Sequence, residues 1–337
     1  MRFAKSALSA LLVGALLLVA GGARAAEPLK IRYGWIVLPA SWGPLLLEKK
    51  DLMTHSGKSY VAETIHFAGS SPMITAIAAG ELEFALLNFA SFAAAVENAG
   101  LTDLRVVADE VQDGVPGYDS VPYMVLKDGP IKKVADLKGK VLATNAIGTA
   151  VDMGMRAVMR KAGLEDKRDY SIVEVGFPNM LAALTEKKID LAIVAAPWSH
   201  DPKTYEVART LFQLKDSFGV TQLSMWVARK DFLEKNRATV VDFMEDFLRV
   251  ARWYINPANH KAAVATVAAA IKRPPEIFDS WLYTKEDNYR DPDGRIDVSA
   301  LQNNFNLQKQ LGFQKTDIDA KKYVDLSYVD EAAKRLK

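Results

Sequence analysis

The sequence of 337 residues contains no cysteine. That absence excludes disulfides, thiol nucleophiles and zinc–thiolate sites, and also a lipid-bearing cysteine that would tether an exported chain to a membrane. Histidine is scarce: the four residues, His55, His66, His200 and His260, include no pair at helical ligand spacing, so no metal site is expected. There is no Gly-x-Ser-x-Gly elbow, no Gly-rich phosphate loop closing on Lys, and no His-Glu-x-x-His helix. Nucleophilic and metallo-hydrolase chemistry therefore have no visible apparatus, and neither a catalytic residue nor a cofactor is expected. An excess of one charge is missing too, with 43 basic against 41 acidic residues.

What is present begins at the N-terminus. Met1-Arg2 and Lys5 precede an apolar block, Ala7 to Ala20, which closes on Ala23-Arg24-Ala25. A basic start, a short apolar middle and a small-x-small end make a secretory signal peptide over residues 1–25, cut after Ala25. The block is short for a bilayer span, which sets aside the alternative of an uncleaved anchor. Cleavage takes Arg2, Lys5 and Arg24 away, so the 43 basic residues fall to 40 against 41 acidic ones, a net charge of −1. A near-neutral surface argues against nucleic acid or anionic lipid as the main partner. Half of the residues are apolar, enough to fill the cores of two ordinary domains.

Along the chain, Leu29 to Gly34 alternates as a first strand, Gly43 to Lys50 reads as helix, and Thr64 to Phe67 as a second strand. Ser70-Ser71-Pro72 then opens a helix, Met73 to Ala79, which Gly80 stops before a strand, Leu82 to Leu87. The same grammar returns later. Pro178-Asn179 opens a helix, Met180 to Lys187, and a strand, Ile189 to Val194, follows. The repeat predicts two lobes on one α/β plan. Between them, Val141 to Thr144 is a strand. Thr149 with Asp152 is a variant capping box for a helix to Ala162, whose Val151, Met155, Val158, Met159 and Ala162 form a core stripe. The Gly- and Pro-rich stretch Asp113 to Pro122 separates the lobes, and Val220 to Ala228 is a strand returning to the first, with Trp226 in its core. Ala238 to Tyr254 and Lys261 to Ile271 are helices, Pro274-Pro275 breaks the chain, and Asp291 to Gly294 is a turn. The tail from Asp317 is expected to be helical and solvated. The acidic run Asp109, Glu110 and Asp113 is expected to be a solvated face; the alternative is a contact with an amino group of a zwitterionic ligand.

Several of these segments carry a family resemblance. They are Ile31-Arg32-Tyr33-Gly34-Trp35, Gly69-Ser70-Ser71, and Gly80-Glu81-Leu82-Glu83-Phe84. Asp136-Leu137-Lys138-Gly139-Lys140-Val141 ahead of Gly148-Thr149 is another, and Asp190-Leu191-Ala192 leading to Ala196-Pro197-Trp198 completes the set. In this order the chain resembles the periplasmic solute-binding proteins of ABC importers, in the nitrate, taurine and alkanesulfonate branch. The resemblance implies a two-lobed α/β periplasmic binding protein fold of type II, with a ligand cleft between lobes joined by two hinge crossovers. Residues 26–117 and 221–337 then form lobe 1 and residues 118–220 lobe 2. It implies a periplasmic monomer that holds a small anion and docks on an ABC permease/ATPase complex.

Ligands of open α/β sheets sit beyond the C-terminal strand ends, where helix N-termini offer free N–H groups to an anion. Such termini are expected at Ser70 and Ser71, at Asn88 and Phe89, at Gly148, Thr149 and Ala150, and near Asn179. Asn88 and Asn145 are candidate amide donors, and Trp35, Trp42, Pro197 and Trp198 candidate walls of the cleft. Against the binding role stand plain capping for Ser70 and Thr149, backbone geometry for Gly148, and core packing for each Trp. The expected ligand is an organic anion, a sulfonate or carboxylate such as taurine, an alkanesulfonate or an aromatic acid. Rival readings are a binding protein or synthase-like enzyme for a pyrimidine precursor on the same fold, and a sensor that docks on a receptor kinase.

Overall fold

The computed structural model describes residues 27–337, so the expected leader and its cleavage point lie outside the described residues. The strands, in chain order, are β1 (Leu29–Trp35), β2 (Tyr60–His66), β3 (Ala85–Leu87), β4 (Leu104–Asp113) and β5 (Pro122–Leu126). β6 (Val141–Thr144), β7 (Ser171–Glu174), β8 (Ala192–Ile193), β9 (Ala208–Gln213) and β10 (Thr221–Arg229) follow. They assemble twice on one plan. β1 and β2 run parallel, Tyr33 bridges to Phe84 just before β3, and β3 and β4 flank β10 antiparallel. β6 and β7 run parallel, Leu142 bridges to Leu191 just before β8, and β8 and β9 flank β5 antiparallel. The strand orders β2-β1-β3-β10-β4 and β7-β6-β8-β5-β9 are thus the same order written twice, as the repeated helix–strand grammar predicts.

Two hydrophobic cores follow the two sheets. Tyr33, Phe84, Phe92, Trp226, Phe243 and Phe247 anchor the first, which draws on the chain up to Ala108 and again from Phe218 onward, with Ala150 and Ala157 docked on it. The second is continuous, running from Val121 to Leu214 through Tyr123, Leu142, Met155 and Met180. Each fully buried large side chain contributes about 1.5–3 kcal/mol. The Arg237–Ile255 helix joins the first core through Val240, Val241, Met244, Phe247, Leu248 and Ala251, one stripe at helical spacing. The chain crosses between cores twice, after β4 and before β10, and these two strands pair along their length. Asp113 pins the crossing: its Oδ1 accepts from Ser120 Oγ at 2.6 Å and its Oδ2 from the Val121 N–H at 2.8 Å.

Several expectations are corrected. The helix read from Met73 begins at Ser70 with Gly69 as its cap, so neither serine hydroxyl caps it. The helix read from Met180 begins at Phe177, with Pro178 in its first turn. The strands read as Leu82–Leu87 and Ile189–Val194 shrink to β3 and β8, because their first halves turn in from the preceding helices rather than joining a ladder. β2 starts at Tyr60, four residues early, paired along its length with β1. Ala162 is exposed at the helix C-cap and leaves the core stripe. The tail is helical over Ser327–Arg335, yet Tyr328, Val329 and Ala332 are buried against the Arg237–Ile255 helix rather than solvated.

The largest correction concerns Asp109, Glu110 and Asp113, which are 2%, 0% and 0% exposed. β4 ends its own three-stranded sheet, but its free edge is closed from far along the chain: the Gln112 and Asp109 N–H groups donate to the Tyr289 and Gly294 carbonyls, and Val106, in a bridge with Val324, accepts the Asp325 N–H. From Val106 to Asp113 every residue of the strand is buried. Each carboxylate has donors instead. Asp109 takes Gln222 Nε2 at 2.5 Å and the Asp291 N–H at 3.0 Å, while Glu110 takes Tyr33 Oη at 3.0 Å, the Trp42 N–H at 2.5 Å and the Trp226 indole N–H. Burial outweighs these donors and pushes Glu110 up to about 8, Asp109 to about 7 and Asp113 to about 6.

Candidate functional site

The lobes meet over a cavity of about 90 Å³. That is room for several waters, and smaller than the roughly 150 Å³ cavity that accepts benzene. Helices from both lobes start at it: Ser70–Ala78 and Phe89–Glu97 from the first, Ala150–Lys161 and Phe177–Thr185 from the second. The start of each is set locally. Asn88 caps the Phe89 helix by accepting the Ser91 N–H at 2.9 Å. Thr149 caps the Ala150 helix by accepting the Asp152 N–H at 3.4 Å. Asp152 returns the bond one residue earlier than a capping box would, to the Gly148 N–H at 2.9 Å. Gly148 sits at φ +81°, a conformation that favours glycine.

The polar side chains at these termini form one cluster. Asn88 donates its amide to Ser70 Oγ, which lies 2.9 Å from Ser91 Oγ. Thr149 Oγ1 donates to the Ala146 carbonyl at 2.9 Å and lies 3.3 Å from Asn145 Oδ1. Bonds also span the lobes. Ser71 Oγ donates to the Ile147 carbonyl at 2.9 Å, Ser91 Oγ to the Gly148 carbonyl at 3.2 Å, and Asn145 Nδ2 to the Ala68 carbonyl at 3.1 Å. The lobes are therefore closed on each other. Gly69 permits this approach, for a Cβ on it would lie 2.8 Å from Ala146 Cβ and 2.9 Å from Asn145 Nδ2. Its φ of −175° is ordinary extended backbone, so the constraint is steric and not conformational.

Of the twelve residues singled out by sequence, Ser70, Asn88, Asn145, Thr149 and Ala150 line the cavity, while Ser71 and Gly148 sit in the seam beside it. The aromatic candidates do not line it. Trp42 is 2% exposed and stacks on Tyr283 in the first core at 5.5 Å; its neighbour Ser41 faces the cavity instead. Trp35 packs against His66 at 4.5 Å, and Phe89 is buried edge-on to Phe218 at 5.1 Å. Past β8 the wall is Ala195 and Ala196, with Pro197 buried and Trp198 packed on the second core. His200 stacks on Trp281 of the first lobe at 4.0 Å, 3.6 Å from Asp119, and burial lowers its pKa.

Sequence reasoning missed the rest of the lining. Ile36, Val37 and Ala40 follow the C-terminal end of β1, the position where a ligand loop belongs, and were findable by that rule. Val111, Leu223 and Ser224 come from the paired crossing strands, and Asp287 and Asn288 from an irregular stretch far along the chain. No Lys, Arg or His is among the lining residues.

The model of the family described as NMT1/THI5 like matches residues 62–260. Solved structures with this fold include the alkanesulfonate-binding protein SsuA from Xanthomonas axonopodis pv. citri bound to MOPS. It is 18% identical, with 89% of this chain and 99% of that chain covered at a TM-score of 0.70. The periplasmic nitrate-binding protein NrtA from Synechocystis PCC 6803 is 17% identical, with 92% and 90% covered and a TM-score of 0.68. The desulfurization enzyme DszB is 12% identical, with 92% and 100% covered and a TM-score of 0.63. A search of curated proteins by sequence finds no match. The duplicated sheets, the double crossing and these likenesses establish the two-lobed periplasmic binding protein fold, and the family match covers well over half of the sequence: the chain belongs to the NMT1/THI5-like family.

Proposed function

We propose that this protein is the extracytoplasmic solute-binding component of an ABC importer, which captures a small organic anion and presents it to a permease. One observation carries the reading. Four helix N-termini, two from each lobe, converge on one cavity between the lobes that no cationic side chain lines. The partial positive ends and free N–H groups of those helices supply the attraction for an anion. An anion held from both sides stabilises the closed form over the open one, and that difference in affinity drives closure.

The likeness to sulfonate- and nitrate-binding proteins supports the same reading. The apolar sides of the cavity, with Ile36, Val111, Leu223 and Phe177, favour an organic acid over nitrate. Lobe 1 is taken as residues 26–117 and 221–337 and lobe 2 as residues 118–220, with a periplasmic location after cleavage at Ala25. The role is binding and not catalysis.

The test is a thermal-shift screen of the purified chain against alkanesulfonates, aliphatic and aromatic carboxylates and nitrate. At a concentration 100 times its Kd, a ligand adds about 2.7 kcal/mol of stability and raises the melting temperature. Small-angle scattering should show the ligand-free form to be larger than the liganded one. A screen in which no anion raises the melting temperature overturns the reading.

A further inference from the structure

The cavity lining is polar in two places, with an apolar belt between them. One pole is the cluster of Ser70, Asn88, Asn145 and Thr149 at the helix N-termini. The other is Asp287 and Asn288, which pack on the crossing between lobes. Val111, Val121 and Leu223, from the segments that cross there, belong to the belt.

The second pole accepts and does not donate. Asp287 is 2% exposed and is the one ionisable side chain in the lining. Its Oδ1 accepts the Asn288 N–H at 2.7 Å, and its Oδ2 accepts the Tyr283 N–H at 3.0 Å and Arg290 Nη1 at 2.8 Å. Arg290 balances its charge from behind without lining the cavity. Asn288 gives its amide hydrogens to Asp113 Oδ2 and to the Asp119 carbonyl, both at 3.1 Å. A carboxylate and a carbonyl are both acceptors, so the amide has one possible orientation, with Oδ1 as its remaining end. Among the described residues no donor reaches that oxygen.

A simple acid with its anionic group at the first pole would leave Asn288 Oδ1 without a donor and the second lone pair of Asp287 Oδ1 unused, or would need a water there. A diacid would set two acceptor groups against each other. We infer that the ligand is bifunctional: an acid group for the helix N-termini, an apolar middle, and a hydrogen-bond donor, ammonium or hydroxyl, for Asp287 and Asn288. This rests on the anion reading of the site and narrows it to one class of organic acid.

The test is isothermal calorimetry on the full chain with two matched sets of probes. One set is pentanoate, 5-hydroxypentanoate, 5-aminopentanoate and pentanedioate. The other is benzoate, 4-hydroxybenzoate, 4-(aminomethyl)benzoate and terephthalate. In at least one set a hydroxy or amino acid should bind about tenfold or more tightly than the simple acid, and the diacid most weakly. Asn288→Leu removes one acceptor and leaves the Asp287–Arg290 pair in place, so it should drive the ratio of bifunctional to simple acid toward one. Asp287→Asn should do the same. If simple acids or diacids bind as tightly as their bifunctional partners, or if Asn288→Leu folds and leaves the ratio unchanged, the inference is overturned while the anion reading stands. If no acid of either set binds and the sulfonates also fail, the anion reading has failed and takes the inference with it.

Discussion

Gly69 of one lobe and Ala146 of the other are so close that a methyl group on Gly69 would stand 2.8 Å from Ala146 Cβ. Both are backbone-anchored positions, so neither side can swing away as a flexible side chain would. Gly69→Val should leave each lobe intact, because its extended φ of −175° suits any residue, yet hold the cleft partly open. The expected result is a ligand affinity reduced tenfold or more with an unchanged melting temperature for the ligand-free protein. Calorimetry and scattering with and without ligand check it; full compaction of the variant on ligand addition would refute the steric account.

Ser91→Ala removes the bond to the Gly148 carbonyl across the cleft and leaves the backbone cap from Asn88 in place. Such a bond is worth about 0.5–1.5 kcal/mol, so the affinity should fall roughly two- to tenfold. The loss should appear as faster dissociation, measured by stopped-flow fluorescence, since the bond exists only once the lobes have met.

Stability should decrease as pH rises. Burial holds Glu110 up to about 8, Asp109 to about 7 and Asp113 to about 6, each above the roughly 4 of an unfolded chain. The folded protein therefore binds more protons than the unfolded one. The contribution of these groups is complete below the unfolded carboxylate range and is lost as pH climbs through the folded values. The melting temperature should drop between pH 5 and pH 8, and Glu110→Gln should flatten the upper part of that slope. A melting temperature that rises across this range contradicts the assignment.

Asp246 ties the first lobe together at 0% exposure. It accepts the Thr54 and His55 N–H groups at 2.9 Å each, Tyr60 Oη at 2.7 Å and Arg249 Nη1 at 2.6 Å. Asp246→Ala strands a tyrosine hydroxyl and two backbone donors, while Arg249 keeps its pair with Glu245, and should cost about 3–5 kcal/mol in chemical denaturation. Asp246→Asn keeps some of the acceptor capacity and should cost less.

What the sequence disclosed was local. The Thr149 cap, the Gly148 turn and the Asn88 terminus depend on neighbours within a few positions, and all lie where their patterns predict. The duplicated plan was legible because each helix–strand step writes itself out in full. Depth was not legible. Asp109 and Glu110 sit on opposite faces of β4 and would normally divide between core and water; both are buried because Tyr289, Gly294 and Val324 close the remaining edge from far along the chain. Trp42 misled for a related reason: a loop residue after a strand end usually faces the cleft, but here a helix begins at Trp42 and turns its ring inward onto Tyr283. Asp287 and Asn288 reach the cavity from a segment with no periodicity, so only the folded chain reveals them.

The central strand of the first sheet is β10, and β3 and β4 are joined through it. A growing chain that has not yet delivered Thr221–Arg229 has a gap in the middle of that sheet, with apolar faces on either side. The buried residues of the second core end at Leu214, with Leu223 packed only at its margin, so the second lobe is able to finish first. Assembly is thus nested: the inner half matures while the outer half waits for its keystone, and a truncation between Leu214 and Thr221 yields one finished lobe carrying an unfinished one.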